Sequence, residues 1–217
     1  ALNPAVARDP FATNSVVTGP DYTTPWWAVE DRSRRQGVIL ERQLQSEVFD
    51  DVRPLSIYLP PRYRVTHRYP LLVVHDGLDY LRYAAFKTVV DNLIDLGEIP
   101  PMVVCFIQSP DRVHEYAASG QHADFLANEL LPLLEDEFSL EAGPENRALM
   151  GASFGGVASL HASLQHPGVF GRLLLQSGSF AFTDIGSHER GPLFDPVVAF
   201  VNGYRRAPVK PADRVFL

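Results

Sequence analysis

A serine flanked by glycines is the residue pattern in this sequence that is best suited to covalent chemistry. Residues 150–156 read MGASFGG, so Ser153 stands in a Gly-x-Ser-x-Gly pattern with Gly151 and Gly155. This pattern is typical of the nucleophile elbow, a sharp strand-to-helix turn in which small flanking residues let the strand and the helix pack closely. It predicts that Ser153 is a nucleophile for acyl transfer. A glycine-rich turn with a purely structural role is the alternative interpretation.

A serine that attacks a carbonyl group also needs hydrogen-bond donors for the negative charge that develops on the carbonyl oxygen. A helix that begins directly after the serine directs free N–H groups and the positive end of its dipole at this charge, which makes the N–H of Phe154 a candidate donor. The sequence HDG at 75–77 follows another apolar run, and the turn after Gly77 is placed to supply a second donor, the N–H of Leu78. A turn without a catalytic role is the alternative for HDG.

Continuous apolar runs, which predict buried strands, alternate with amphipathic helical patterns around both segments. This alternation indicates an α/β fold with a mostly parallel sheet and helices on both faces. The carboxyl ends of such strands share one edge, where ligands bind, so Ser153 and the HDG turn should lie close together. We expect one such domain over residues 37–217, preceded by an irregular arm or linker at 1–36. The predicted strands are 37–48, 53–63, 69–77, 102–109, 147–153, 172–180 and 213–217, and the predicted helices are 84–101, 122–138, 154–166 and 192–206.

The composition of the chain excludes several classes of partner. A net charge of −7 and a pI near 5.4 leave no broad basic surface, which argues against nucleic acid or an anionic membrane as a partner. No run approaches the roughly 20 apolar residues that a membrane span needs, and we expect a soluble protein, with the cytoplasm favoured over secretion. The single cysteine, Cys105, lies in an apolar run and is predicted to be a buried small hydrophobe rather than a nucleophile. The histidines show no spacing typical of a metal site.

Four segments together resemble the enterochelin esterase-like family of α/β-hydrolases, which is related to esterase D and to the mycolyltransferases. The stretch 151–180, from GASFGG to LLLQSGSF, is similar to the serine motif, the following helix and the Q-S-G-S strand end of that family. HDGLDY at 75–80 resembles its D-G segment, and DFLANELLPLLEDEF at 124–138 resembles its E-L-L-P helix. DRVHEY at 111–116 is similar to its R-x-x-E-L stretch, with tyrosine in place of the leucine.

The resemblance implies an α/β-hydrolase fold and a serine carboxylic-ester hydrolase that acts through an acyl-enzyme, with no metal or organic cofactor. It implies siderophore lactones, or similar aryl or acyl esters, as the small-molecule substrate, and it supports the N–H of Leu78 as an oxyanion donor. Arg112 and Glu115 match the family's arginine and glutamate and are candidates for holding an anionic or catecholate group. An ion pair within the loop that only orders this segment is the alternative for these two residues.

A serine hydroxyl needs an adjacent general base, normally a histidine that a carboxylate orients. In this fold the chain order is Ser, then Asp or Glu, then His, with the acid in the loop after the second strand beyond the elbow. That strand is 213–217, so we expect both groups beyond Leu217, in a C-terminal part of the domain that these residues lack, and we expect the portion alone to be inactive. Within the chain, His188 in the loop after Asp184 is the alternative base, whereas His75 is expected to pack or hydrogen-bond near the HDG turn.

Two further functions stay open at the level of the sequence. An acyltransferase would form the same acyl-enzyme and pass the acyl group to an alcohol, as the mycolyltransferases do. A non-catalytic binding protein with the hydrolase fold would follow if the natural chain ends at Leu217. The sequence decides neither the acyl and alcohol parts of the substrate nor the oligomeric state.

Overall fold

Seven β-strands form one mixed sheet in the computed structural model, which describes residues 19–182 and 192–217. The strands within these residues are β1 (Val38–Ser46), β2 (Asp51–Leu59), β3 (Leu71–Val74), β4 (Val103–Ile107), β5 (Arg147–Ala152), β6 (Arg172–Gln176) and β7 (Arg214–Phe216). Their order in the sheet is β1-β2-β4-β3-β5-β6-β7. Strand β2 is antiparallel to β1 and to β4, whereas β4, β3, β5, β6 and β7 are parallel to one another. The expected mostly parallel sheet is confirmed.

Both faces of the central strands are buried, which explains their continuous apolar sequence. In β3, Leu71 and Val73 belong to the core on one face, and Val74 belongs to the core on the other. Strand β4 alternates in the same way, with Cys105 fully buried in the first of these cores. Burial raises the pKa of the Cys105 thiol, in agreement with a small hydrophobe rather than a nucleophile.

Helices cover the two faces of the sheet. The long helix of residues 120–137, which contains a π turn, packs with the helix of residues 154–165 on one face, and the helices of residues 77–83 and 86–95 pack on the other. No helix in the described ranges is long and apolar enough to cross a membrane. The helices are α1 (Gly77–Tyr83), α2 (Phe86–Asp95), α3 (Arg112–Tyr116), α4 (Gly120–Asp124), α5 (Leu131–Glu137), α6 (Phe154–Gln165) and α7 (Asp195–Arg206), and a π-helical turn, Phe125–Leu130, joins α4 to α5.

Four local features differ from the sequence prediction. Helix α1 begins within the HDG segment, where we expected a turn, and α3 forms within DRVHEY, which we took as a loop. Strand β6 ends at Gln176 instead of Phe180, because Ser177 adopts a left-handed φ of 45° that breaks the extended chain. The π turn precedes Pro132, whose ring has no N–H and would clash with the carbonyl of Asn128 in a regular α-helix.

The N-terminal arm packs on helix α2 over the residues that the structure describes. The side-chain amide of Asn92 donates to the carbonyl oxygens of Trp27 and Val29, both at 2.9 Å. Arg35 Nε donates to Asp95 Oδ1 at 2.7 Å. The boundary between this arm and the domain at residue 37 stays a prediction.

Two histidines are buried and hydrogen-bonded to each other, one after β3 and one in α4. His75 Nδ1 lies 3.0 Å from the carbonyl oxygen of Met150, which can only accept, so this nitrogen carries the proton of the neutral ring. His75 Nε2 lies 3.0 Å from His122 Nε2 and must then accept a hydrogen bond from it. Burial lowers the pKa of His75 to about 4 and lowers the pKa of His122 well below its ordinary value.

This histidine pair predicts that the fold loses stability in mild acid. In the unfolded chain both rings take up a proton below about pH 6.5, whereas the folded rings resist protonation. The free energy of unfolding should therefore be at its full value above about pH 6.5 and fall as the pH drops towards 4, by up to about 1.4 kcal/mol per pH unit for each histidine. Urea titrations between about pH 7.5 and pH 5 measure this slope.

The matched control for the acid titration is His67→Gln, because the side chain of His67 is exposed. This variant should keep the pH dependence of the free energy of unfolding. An unfolding free energy that stays constant from about pH 7.5 to pH 5 would contradict the assignment of both buried rings as neutral.

Candidate active site

Ser153 lies at the sharp turn that the sequence predicts, between the end of β5 and the start of α6. Its backbone angles are φ 56° and ψ −117°, a left-handed conformation that costs a non-glycine residue free energy. A Cβ on Gly151 would lie 2.4 Å from the backbone of Gly155, so only glycine allows this approach of strand and helix. The strand, turn and helix of an elbow are thus present, and the nucleophilic role of Ser153 stays a prediction.

The segment after β6 contacts the candidate nucleophile. Ser153 Oγ lies 2.9 Å from Ser179 Oγ, and the backbone N–H of Ser179 donates to the carbonyl oxygen of Ser153 at 3.0 Å. The N–H of Ser153 in turn donates to the carbonyl oxygen of Gln176 at 3.0 Å. Sequence reasoning gave Ser179 no role. The signal that could have found it is its place in the strand end QSGS, which follows the strand next to β5.

The HDG turn lies directly beside the elbow, as expected from the shared edge of the sheet. Helix α1 begins at Gly77, so Leu78 is in its first turn, where N–H groups have no partner within the helix. Phe154 is the first residue of α6, so its N–H also lies in the first turn of a helix. A Cβ on Gly155 would lie 3.1 Å from the Cβ of His75, which shows how closely the start of α6 packs on the HDG turn. The oxyanion roles of the Leu78 and Phe154 N–H groups stay predictions.

Arg112 is held at this edge by an ion pair that the sequence did not indicate. Its Nε donates to Asp76 Oδ1 at 2.7 Å and its Nη2 donates to Asp76 Oδ2 at 2.8 Å. Nη2 also lies 3.3 Å from the carbonyl oxygen of Ala152, the residue before Ser153. Arg112 therefore bridges the HDG turn and the elbow. Its side chain is 34% exposed and can still meet a ligand.

Glu115 is committed to a different partner. Its two carboxylate oxygens lie 2.8 and 2.9 Å from Arg53 Nη1, and the side chains of Glu115 and Arg53 are only 9% and 6% exposed. The alternative of an ion pair between Arg112 and Glu115 is wrong, because each residue pairs with a side chain outside the loop. Glu115 has no free oxygen to offer a substrate in this arrangement, so its substrate-binding role stays a prediction without structural support.

Three of the described histidines have partners other than the hydroxyl of Ser153. His166 Nε2 pairs with Asp124 at 2.8 Å, His114 Nδ1 pairs with Asp111 at 2.8 Å, and the ring of His161 packs edge-on against Phe200. The alternative base proposed from the sequence, His188, and its neighbour Asp184 lie outside the described residues. Within the described ranges, no group of three or more His, Cys, Asp or Glu side chains is arranged to hold a metal ion.

Comparisons with known proteins identify the family to which this chain belongs. Residues 46–213 match the family described as "Putative esterase". The chain is 31% identical over 133 residues to an iron(III) enterobactin esterase of Escherichia coli, which covers 60% of this chain and 33% of that protein. It is 27% identical over 157 residues to an endo-1,4-beta-xylanase/feruloyl esterase of Xylanibacter ruminicola, covering 65% of this chain and 22% of that protein.

A solved structure shows the same fold. The enterochelin esterase of Shigella flexneri superposes with a TM-score of 0.69 and 26% identity, covering 84% of this chain and 46% of that one. The chain spans 62% and 57% of the lengths of two Bacillus subtilis relatives that it matches. The expected α/β-hydrolase fold is confirmed, and the chain belongs to the esterase family described as "Putative esterase".

Proposed function

We propose that the protein is a serine carboxylic-ester hydrolase in which Ser153 is the nucleophile. The observation that carries this proposal is the strained left-handed backbone of Ser153 between β5 and α6, because such strain persists where the surrounding packing holds it for function. Membership of an esterase family supports the same reaction class. The first turns of α1 and α6 meet beside the serine and supply backbone donors for an oxyanion.

In the proposed reaction Ser153 Oγ attacks the ester carbonyl carbon while its proton passes to a general base. The carbonyl oxygen becomes an oxyanion that accepts hydrogen bonds from the N–H groups of Leu78 and Phe154. Collapse of this intermediate breaks the ester C–O bond, and the base returns the proton to the leaving alcohol. Water then attacks the acyl-enzyme in the same way, which releases the acid and restores the serine hydroxyl.

We propose that the base is a histidine oriented by a carboxylate and that both follow β7 in the full-length protein. The argument is the chain order of this fold, in which the acid lies in the loop after the second strand beyond the elbow. Strands β6 and β7 are the first and the second of these strands. Ser179 holds the hydroxyl of Ser153 until substrate and base are in place, through the 2.9 Å contact between the two Oγ atoms.

For the substrate we propose a siderophore lactone or a similar aryl ester. The relatives named as enterobactin and feruloyl esterases support an ester whose acyl part carries an aromatic ring. The partly exposed guanidinium of Arg112 lies next to the elbow, with its Nη2 3.3 Å from the carbonyl oxygen of Ala152. A positive charge beside the serine suits a phenolic group that carries partial or full negative charge.

Replacement of the nucleophile should abolish the reaction. In the full-length protein, Ser153→Ala should lower the hydrolysis rate of an aryl ester by at least about 1,000-fold and prevent labelling by a fluorophosphonate probe. The control is Ser33→Ala, because Ser33 lies exposed in the N-terminal arm and its hydroxyl donates to Asp31. Equal labelling of the Ser153→Ala protein and the unmodified protein would overturn the assignment.

Removal of the second hydroxyl should have a smaller effect. Ser179→Ala removes one hydrogen bond to Ser153 Oγ, which is worth a factor of about 2 to 10. We expect this decrease in kcat and an unchanged KM, because the hydrogen bond orients the nucleophile and not the substrate. Ser179→Thr retains a hydroxyl and should restore most of the rate. A change confined to KM would indicate a substrate contact instead.

Loss of the bridge that Arg112 forms between the HDG turn and the elbow should also slow the reaction. Arg112→Gln leaves the largely buried carboxylate of Asp76 unpaired and frees the HDG turn to move away from the elbow. We expect kcat/KM to fall about 10- to 100-fold. Arg112→Lys should recover only part of this loss, because a lysine cannot make the two parallel hydrogen bonds. Full activity of Arg112→Gln on neutral and anionic esters alike would contradict the bridging role.

A further inference from the structure

A small cavity near the candidate active site is lined by three residues that each hold a buried polar atom without a hydrogen-bond partner of normal geometry. These atoms are Gln108 Oε1, Tyr116 OH and His122 Nδ1, and none of the described residues gives them a hydrogen bond of normal geometry. Tyr116 is 0% and His122 is 2% exposed, so bulk water does not reach their polar atoms. Unpaired polar atoms at this depth are rare in folded proteins, and three around one cavity require an explanation.

The hydrogen bonds of the neighbouring histidine decide the role of His122 Nδ1. His75 Nδ1 carries a proton because it faces the carbonyl oxygen of Met150, so His75 Nε2 is an acceptor. His122 Nε2 must therefore carry the proton of its own ring. His122 Nδ1 is left with a lone pair that needs a donor.

The nearby carboxylate cannot provide that donor. Glu115 Oε2 lies 4.0 Å from His122 Nδ1, beyond hydrogen-bond distance, and both of its oxygens accept from Arg53. Protonation of His122 would turn this contact into an ion pair, but burial lowers the pKa of His122 well below its ordinary value. Glu115 Oε2 and His122 Nδ1 are therefore both hydrogen-bond acceptors, and neither can donate to the other.

The remaining two atoms complete a definite pattern of donors and acceptors. Gln108 Oε1 is a carbonyl oxygen and needs a donor, whereas the hydroxyl proton of Tyr116 needs an acceptor. The three atoms together require two donated hydrogens and one acceptor. A single water molecule supplies this set, with two O–H groups to donate and an oxygen to accept.

The size and charge of the cavity favour a water molecule over a small ion. Its volume is about 10 Å³, which is close to the room that the centre of one water molecule needs. An anion would meet the lone pairs of Gln108 and His122, and an ammonium ion would leave the Tyr116 proton without an acceptor. The charges of Arg53 and Glu115 in the wall cancel each other.

We infer that one internal water molecule occupies this cavity, donating to His122 Nδ1 and Gln108 Oε1 and accepting from the Tyr116 hydroxyl. It joins the chain after β4 to α3 and α4. Because α3 begins with Arg112, the water anchors the helix whose guanidinium bridges Asp76 and Ala152. The inference itself does not depend on the proposed esterase activity.

A high-resolution crystal structure of the full-length protein tests this inference without any variant. We expect density for one oxygen atom about 2.7 to 3.2 Å from each of the three polar atoms. An empty cavity would overturn the inference. A Gln108 side chain whose amide NH₂ donates directly to His122 would also overturn the inference. The water would then have neither His122 Nδ1 nor Gln108 Oε1 to donate to.

A variant gives a second test, in which the sign of the effect separates a wet cavity from a dry one. Gln108→Met replaces the buried oxygen by an apolar chain of similar shape. If water is bound, the variant loses a hydrogen bond, and the melting temperature should fall by about 2 to 4 °C. If the cavity is dry, removal of an unpaired oxygen should leave the melting temperature unchanged or raise it, which would contradict the inference.

The matched control for this variant is Gln36→Met. Gln36 lies exposed before β1, where it lines a surface cleft with Lys87 and Asp91 of α2, and the same substitution there should leave the melting temperature nearly unchanged. The difference between the two variants isolates the contribution of the buried amide oxygen from the general effect of a glutamine-to-methionine change.

Discussion

The close approach of helix α6 to strand β5 determines how Ser153 and the HDG turn are arranged in the candidate active site. At Gly151 the position of a Cβ lies 2.4 Å from the backbone of Gly155, and the Cβ position of Gly155 lies 3.1 Å from His75. No larger residue fits at Gly151 unless the helix moves. The start of α6 is therefore held against both Ser153 and the HDG turn. This packing also explains how a serine can keep a left-handed backbone, because the surroundings leave it no relaxed alternative.

Charged side chains also fix the position of helix α3 beside the HDG turn. Helix α3 is five residues long and too short to be stable by itself in water. Two ion pairs hold it in place, one from Arg112 to Asp76 and one from Glu115 to Arg53. Partly buried pairs of this kind add little net stability, but the removal of one partner is costly and the geometry is specific. Together with the buried histidine pair they tie the loop after β4 to the HDG turn.

The accuracy of the sequence prediction depended on whether an element leaves a recognisable local pattern in the sequence. Strands β3 and β4 and helix α6 were correctly expected, because continuous apolar runs and a small-residue helix after the Gly-x-Ser-x-Gly pattern are local signals. Helices α1 and α3 were missed because five to seven residues contain too few turns for a helical period to be recognised. The same holds for the candidate site. The local Gly-x-Ser-x-Gly pattern predicted the turn at Ser153, whereas no local pattern indicated the contact of Ser179 with it.

The sequence by itself determined the alternation of strands and helices, the elbow at Ser153 and the nearness of the HDG turn, since periodic burial and glycine spacing act between neighbours along the chain. Only the tertiary structure decided which side chains meet. Arg112 finds Asp76 across 36 positions, Glu115 finds Arg53 across 62, and Ser179 reaches Ser153 across 26. Such pairs leave no periodic trace in the sequence, because the geometry of a hydrogen bond is set by the folded backbone and not by the spacing of its two residues.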